Sequence, residues 1–165
     1  MIKVDDETII RTIEEKDLET MHNWNTADFC GNYQPFEFES KQSLLKKYNE
    51  NGFCSNELQI LLIEINSKPS GLVYIKFIRE GIADIGIVLS GDIRKKGLGT
   101  IITSATVNFL FSNYNICRIQ ADTDINNIPA QKVLERAGFE KEGILKKYRY
   151  HHGNYSDSVL YSIIR

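Results

Sequence analysis

The run from Leu58 to Leu89 narrows the fold of this chain more than any other stretch. Leu58 to Ile65, Gly71 to Ile78 and Ile82 to Leu89 are apolar segments of strand length, rich in β-branched residues. Only Asn66-Ser67-Lys68-Pro69 and Glu80-Gly81 lie near the breaks between them. Breaks that short leave no room for a crossover helix, so the three segments read as an antiparallel meander.

The flanks alternate between strand and helix patterns. Thr8 to Ile13 reads as a first strand, and Glu15 to Asn25 as a helix with Leu18, Met21 and Trp24 at helical spacing. Residues 26–39 are irregular and aromatic, with Phe29, Tyr33, Phe36 and Phe38, and read either as the lining of an acceptor pocket, where Glu37 and Glu39 would attract an ammonium, or as a cover for the sheet edge. Ser40 reads as the N-cap of a helix from Lys41 to Asn51 that Gly52 stops. After the meander, Arg94 to Thr100 opens a helix to about Asn113, and Ile116 to Ala121 is a strand. Pro129 opens a helix to Ala137, with Gly138 at its C′ position. Phe139 to Tyr150 and Ser156 to Ile164 are strands joined by a hairpin at His151-His152-Gly153-Asn154. The expectation is one α+β domain over residues 1–165, a central mixed, mostly antiparallel sheet of seven strands with helices on both faces.

Composition removes several classes of function. A net charge of −2 argues against a nucleic-acid binder, which carries a basic stripe. Cys30, Cys54 and Cys117 are far apart and form no CxxC pair, which excludes a zinc knuckle and fits a reducing compartment. Met1 to Glu7 has no apolar signal core, and no stretch is long and apolar enough for a membrane span. A cytoplasmic protein with no membrane partner is expected.

The chemistry concentrates in Arg94-Lys95-Lys96-Gly97-Leu98-Gly99-Thr100, between a strand and a helix. Two glycines let a ligand approach the backbone. The first-turn N–H groups of a helix lack internal partners and, with the helix dipole, make an anion site suited to a pyrophosphate. Arg94, Lys95 and Lys96 add positive charge. Taken alone, the same residues also fit a glycine-rich turn with solvated lysines. The stretch matches neither GxxxxGK[ST] nor a GxGxxG after a first strand, so a P-loop and a dinucleotide fold are set aside. His151-His152 reads as a solvated hairpin rather than a metal pair, and Asp122 and Asp124 as loop and capping residues, so no metal is expected.

In context, the chain resembles the GNAT superfamily of acetyltransferases. That family follows a splayed strand with [Arg/Gln]-x-x-Gly-x-[Gly/Ala] at a helix start, here Arg94-x-x-Gly97-x-Gly99. It then places an Asn after the next strand and a short helix ending in Gly-Phe, here Asn127 and Gln131 through Gly138-Phe139. Gly153-Asn154-Tyr155-Ser156-Asp157 and Leu160-Tyr161-Ser162, with Ile10-Arg11, Asp17-Leu18 and Trp24, resemble the RimJ/RimL-like branch, which acetylates ribosomal-protein N-termini. The resemblance covers nearly the whole chain.

It implies an acetyl-CoA-dependent N-acetyltransferase acting on a primary amine, of a small molecule or a protein N-terminus, by direct attack in a ternary complex. Two strands would splay to hold the CoA. Ile87, Val88 and Leu89 would offer backbone groups to the pantetheine arm. Arg94, Lys95, Lys96, Gly97, Leu98, Gly99 and Thr100 would cradle the pyrophosphate. Asn127 would hydrogen-bond the pantetheine, with Ala130 and Lys132 beside the rest of the cofactor. Asp84, in Ala83-Asp84-Ile85, would be the base, since several histone-acetylating relatives carry Ala-Glu-Ile there; its plain alternative is a solvent-facing strand residue paired with a lysine. Leu134 stands where many relatives have a Tyr acid and Ala130 where many of the branch have a Ser. Tyr148, Tyr150 and Tyr155 are the remaining acids to weigh, and a non-catalytic CoA-binding sensor or partner-binding module stays open as the alternative. Partners reduce to an amine acceptor and, at most, a second copy in a homodimer.

Overall fold

The structure, a computed structural model, describes all residues except 27, 28, 30, 34–37, 95 and 96, and the side chains of Asn32 and Asp92. Its strands are β1 (Ile2–Lys3), β2 (Thr8–Thr12), β3 (Leu58–Ile65), β4 (Lys68–Arg79), β5 (Gly81–Leu89), β6 (Ile116–Asp124), β7 (Glu140–His151) and β8 (Asn154–Ile164). They form one sheet in the order β1-β2-β3-β4-β5-β6-β8-β7. The count is eight rather than the expected seven, because Ile2–Lys3 adds a two-residue edge strand against Ile9 and Ile10, too short to leave a pattern in the sequence.

The short breaks produce the meander as read. Asn66 and Ser67 turn the chain between the paired Ile65 and Lys68, with φ of 50° and 61°. His152 and Gly153 do the same between His151 and Asn154, with φ of 50° and 78°. Positive φ at both central residues suits the twist of a two-residue hairpin. Every neighbouring pair is antiparallel except β5 and β6. Those two are joined through a 16-residue helix, the kind of crossover that parallel strands require. At the far edge, β7 breaks register twice against β8 and Lys147 has φ of 50°.

The helices are α1 (Leu18–Trp24), α2 (Lys41–Asn51), α3 (Leu98–Asn113) and α4 (Ile128–Arg136). The first is shorter than expected, because Glu15–Asp17 forms a 3-10 turn before it. Ser40 caps α2 by accepting from the Ser43 N–H at 3.1 Å, and Gly52 ends it in the left-handed region. Successive side chains of a strand face opposite ways, and the cores follow that rule. Leu61 and Ile63 join Ile102, Val107 and Leu110 of α3 and Leu134 of α4. Leu62 and Leu72 join Met21 of α1 and Leu44 of α2 on the opposite face.

A buried ionic knot fixes α1 to the sheet. Asp17, 2% exposed, takes two hydrogen bonds from Arg11 at 2.7 and 3.0 Å and one from the Glu14 N–H at 2.8 Å. Arg11 also reaches Glu64 at 2.8 Å. Burial opposes ionisation of Asp17, but the Arg11 hydrogen bonds and charge and the Glu14 N–H outweigh it and lower its pKa.

Candidate active site

The parallel pair of β5 and β6 is short. Its register runs only from Gly81↔Ile116 to Asp84↔Gln120. Beyond it, Ile85 to Leu89 pair with β4 alone, and Ala121 to Asp124 pair with β8 alone. Two inner strand edges thus face a gap with backbone groups that no strand satisfies, the splay that the sequence resemblance implied. Gly71 helps shape this region, since a Cβ there would collide with the Val88 carbonyl oxygen. A glycine is required where β4 and β5 approach so closely, a role the sequence reading did not assign.

The glycine turn sits at the end of β5. Gly97 is the N-cap of α3 with φ of 78°, and a Cβ there would meet nothing within 4 Å. Gly99 differs: a Cβ would lie 3.2 Å from Val133 Cγ2, so its smallness lets α3 approach α4. Having no side chain, Gly97 leaves the first-turn N–H groups of Leu98 and Gly99 uncapped. Thr100 N–H bonds the Gly97 carbonyl at 3.2 Å. Arg94 points back rather than out: its Nε donates to the Leu89 carbonyl at 2.9 Å and its Nη2 to the Phe29 carbonyl at 2.7 Å. Lys95 and Lys96 lie outside the described residues, as do Phe36 and Glu37.

Across the gap, Asn127 is the N-cap of α4, and its Oδ1 accepts from the Ala130 N–H at 3.3 Å. Its side-chain carbonyl oxygen is therefore taken up by the helix. Ala130 is half-buried and Lys132 exposed on the same helix. Ile87, Val88 and Leu89 are half-buried along the open edge of β5.

On the opposite face of the sheet lies a polar row. Asp84, Gln120, Asp122 and Asp124 share the face of Leu62 and Leu72, as the registers from β3 to β6 require. Asp122 takes Arg149 Nε at 3.1 Å and Nη2 at 2.8 Å, and Arg149 also reaches Ser158 Oγ at 2.9 Å. Asp124, 1% exposed, lies 2.9 Å from His151 Nε2 and bonds Ser156. His151 is thus tied into the row and only His152 is exposed, which corrects the expectation of a solvated histidine pair; a carboxylate at the end of β6 recruits one ring. Asp84 accepts from Gln120 Nε2 at 3.2 Å. Burial raises its pKa, Gln120 pulls it back, and the charge of Asp122 pushes it up. Lys76 is its register partner, and the charges of Lys76 and Arg149 pull the pKa of this half-buried carboxylate back down. The period-two polar pattern Gln120, Asp122, Asp124 was present in the sequence and would have signalled this row.

Other expectations fare differently. Glu39 holds Ser43 at 2.9 Å and pairs with Lys47, so it serves α2 rather than an ammonium. Tyr148, Tyr150 and Tyr155 are more than half exposed on the terminal hairpin, with Tyr150 and Tyr155 rings 4.9 Å apart. Among the described residues, no group of three or more His, Cys, Asp or Glu could hold a metal ion, and no helix is long and apolar enough to cross a membrane.

The family model described as an acetyltransferase (GNAT) domain matches residues 7–140. The chain belongs to the GNAT family. An uncharacterised N-acetyltransferase, YnaD of Bacillus subtilis, is 24% identical over 94% of this chain and 92% of its own. A spermidine N(1)-acetyltransferase of Vibrio cholerae is 25% identical over 90% and 87%. In fold, the chain superposes on RimL, a ribosomal L7/L12 α-N-protein acetyltransferase in complex with coenzyme A, with a TM-score of 0.87 over 99% and 97% of the chains at 19% identity. It superposes equally, at 0.87 over 97% and 96% with 23% identity, on a Vibrio cholerae spermidine N-acetyltransferase bound to CoA and spermine. This GNAT protein is an acetyl-CoA-dependent N-acetyltransferase, and its splay, uncapped helix start and open strand edge fit that co-substrate. Nothing in the fold or the comparisons favours the non-catalytic alternative.

Proposed function

We propose that the acceptor is a primary amine that enters on the face of the polar row and docks its ammonium at Asp84. The observation that carries this reading is the state of that carboxylate. Asp122 has Arg149 and Asp124 has His151, whereas the described hydrogen-bond partner of Asp84 is a neutral amide. Burial with a neutral partner raises the basicity of a carboxylate.

Acetyl-CoA supplies an activated acetyl thioester. In this reading the open edge at Ile87, Val88 and Leu89 holds its pantetheine arm, with the Asn127 NH₂ opposite and Ala130 and Lys132 alongside. Arg94 through Thr100 takes the pyrophosphate, chiefly through the first-turn N–H groups. Asp84 removes the ammonium proton directly or through a water, since an alkylamine is mostly protonated near neutral pH and only the free amine attacks. The amine nitrogen forms a bond to the acetyl carbon as the C–S bond breaks. No acid of the family's usual kind is available, because Leu134 is buried and Ala130 has no hydroxyl. The departing thiolate takes, through water, the second proton that the nitrogen sheds as it becomes an amide, with positioning and backbone N–H groups as the remaining contributions.

Small polyamines and protein N-termini both satisfy this chemistry, and they are what the spermidine enzymes and RimL are named for. A reducing, cytoplasmic setting goes with the reading, as Cys54 and Cys117 are free. The test is a thiol-release assay with acetyl-CoA against a panel of polyamines, amino sugars and short peptides. Release with a primary amine, abolished by acetylating that amine beforehand, supports the reading. Thr100→Glu separates the pyrophosphate site from folding: a first-turn carboxylate suits a helix but repels phosphate. Loss of CoA binding at unchanged melting temperature is expected, and normal CoA affinity would remove the site from that turn.

A further inference from the structure

In the polar row, spacing and charge point to different ligands. Asp122 and Asp124 alternate along β6, and Asp84 pairs with Gln120, the preceding residue of that alternation. Same-face residues of a strand stand about 6.6 Å apart, twice the rise per residue. Carboxylates at that repeat match the reach of a polyamine, whose ammonium groups recur every few ångströms along a flexible chain. Their charge does not match it.

Asp122 accepts from both Nε and Nη2 of Arg149 on one carboxylate oxygen, and Ser158 Oγ and the Asp122 carbonyl hold the guanidinium in place. Asp124 is closed to solvent. Its Oδ1 takes the Asn126 N–H at 2.8 Å, and its Oδ2 bonds Ser156 and faces His151 Nε2. A second ammonium laid along the row would have to displace Arg149, and a third would find a buried carboxylate. Lys76, exposed and in register with Asp84, adds positive charge. In the other direction along β5, Gly86 is exposed and leaves space next to Asp84. Its register partner Tyr74 packs against the apolar cluster under α1 and α2. Among the described residues, an acceptor that docks one ammonium at Asp84 thus meets an apolar wall on one side and compensated charges on the other.

We infer that the acceptor carries a single positive charge, and that Arg149, by occupying Asp122, is the residue that sets specificity against polyamines and other polycations. The inference rests on the docking of an ammonium at Asp84 proposed above, and narrows it. A monoamine makes its whole ionic contact at Asp84. A polyamine makes the same contact, while its remaining charges give up water without gaining a partner. The fold shared with a spermidine enzyme does not fix the acceptor, because the side chains that face the ligand do so. A peptide N-terminus and a small monoamine share the required chemistry.

The experiment compares amines that differ in charge. Thiol release from acetyl-CoA is followed with pentylamine, cadaverine, spermidine and a short lysine-free peptide with a free N-terminus, and expressed as kcat/KM per primary amine. Cadaverine is pentylamine with a second ammonium, so their ratio reads the second charge alone. Cadaverine and spermidine are expected to gain less than about fivefold over pentylamine, the most that an exposed ion pair supplies. Arg149→Met keeps an unbranched stem and uncovers Asp122. The spermidine-to-pentylamine ratio should then rise about tenfold or more, the scale of a charged hydrogen bond, and Arg149→Lys should restore the parent ratio. Peptide against pentylamine separates the two sources: the higher kcat/KM assigns either a protein N-terminus or a small monoamine. A larger gain for cadaverine or spermidine in the parent would overturn the inference and leave acetylation at Asp84 standing, and this arm holds even if a variant fails to fold. An unchanged ratio in folded Arg149→Met would overturn the role of Arg149. Thiol release with none of the amines would overturn the proposed function and this inference with it.

Discussion

The two halves of one sheet face make the most instructive comparison in this molecule. Under α1 and α2, the face presents Leu62 and Leu72, which join Met21, Leu44 and Phe53 in a closed apolar cluster. A few strands away, the same face presents Asp84, Gln120, Asp122 and Asp124, backed by Arg149, Ser158 and Ser156. The strand pairing runs from Leu72↔Val88 through Lys76↔Asp84 to Asp84↔Gln120; along it the side chains and their cover change. The apolar half excludes water to hold the fold. The polar half retains paired charges at a place where the sheet parts, at a cost in stability that an apolar replacement would avoid. In the proposed reading, function sits where a face is left polar beside a broken parallel pair.

Substitutions with three sizes of effect would break or sharpen that contrast. The largest effect is expected at Asp84→Asn, which keeps shape and removes basicity. The acetylation rate at neutral pH should fall about 10²–10⁴-fold, the range for general acid–base catalysis, with CoA affinity nearly unchanged and part of the loss recovered at higher pH. Stability should move the other way. The folded Asp84 carboxyl has a raised pKa, so between the ordinary carboxylate value and the raised one the folded state binds the extra proton. Stability contributed by that group is lost as pH rises through this window, and Asp84→Asn should therefore melt higher than the parent at pH 7. An unchanged turnover number with an unchanged acidic limb would remove Asp84 from the mechanism.

The intermediate effect belongs to the closed half. Asp17→Ala leaves Arg11 buried without its main partner and should cost about 3–5 kcal/mol in denaturant unfolding. The sign with pH is opposite to that of Asp84. The lowered Asp17 pKa contributes stability above the ordinary carboxylate range, and this is lost as pH falls through the folded value. Parent and variant should thus converge in acid, and a constant difference from pH 7 to pH 3 would contradict the ionic origin. Leu72→Ala, 5% exposed in the parent, should fall in the same range at about 2–5 kcal/mol with no dependence on pH.

The smallest effect is expected at Tyr148→Phe, Tyr150→Phe and Tyr155→Phe. These exposed rings should change stability by less than about 0.5 kcal/mol and leave the turnover number as it was. A tenfold loss in any of them would reinstate a tyrosine as the acid.

Much of the apolar half was legible in the sequence because burial leaves a period. Leu58 to Ile65 formed with its expected bounds, and Ser40 and Gly52 bounded α2 as caps do. The splay was legible only through the family resemblance, since nothing local in Ile82 to Leu89 says where pairing with Ile116 to Asp124 stops. The polar row was readable in part: alternation at Gln120, Asp122 and Asp124 is local, whereas Arg149 and His151 reach it from a strand that lies next to β6 only through β8. Gly97 and Gly99 look alike in a motif, yet one supplies a left-handed backbone and the other a gap for Val133. Such roles depend on what arrives from elsewhere in the chain. Arg94 is a third case, since its reach to Phe29 spans 65 positions of sequence.

The rims of the sheet carry a consequence for assembly. One rim is the two-residue β1, and the other is β7, whose register breaks twice and whose Lys147 turns out of the extended region. A strand offers itself to another chain through a long, flat row of free N–H and C=O groups, and neither rim has one. The sheet can therefore keep an unpaired gap at its middle, reserved for a ligand, without growing at its margins. Both rims thus disfavour continuing the sheet from one copy into the next.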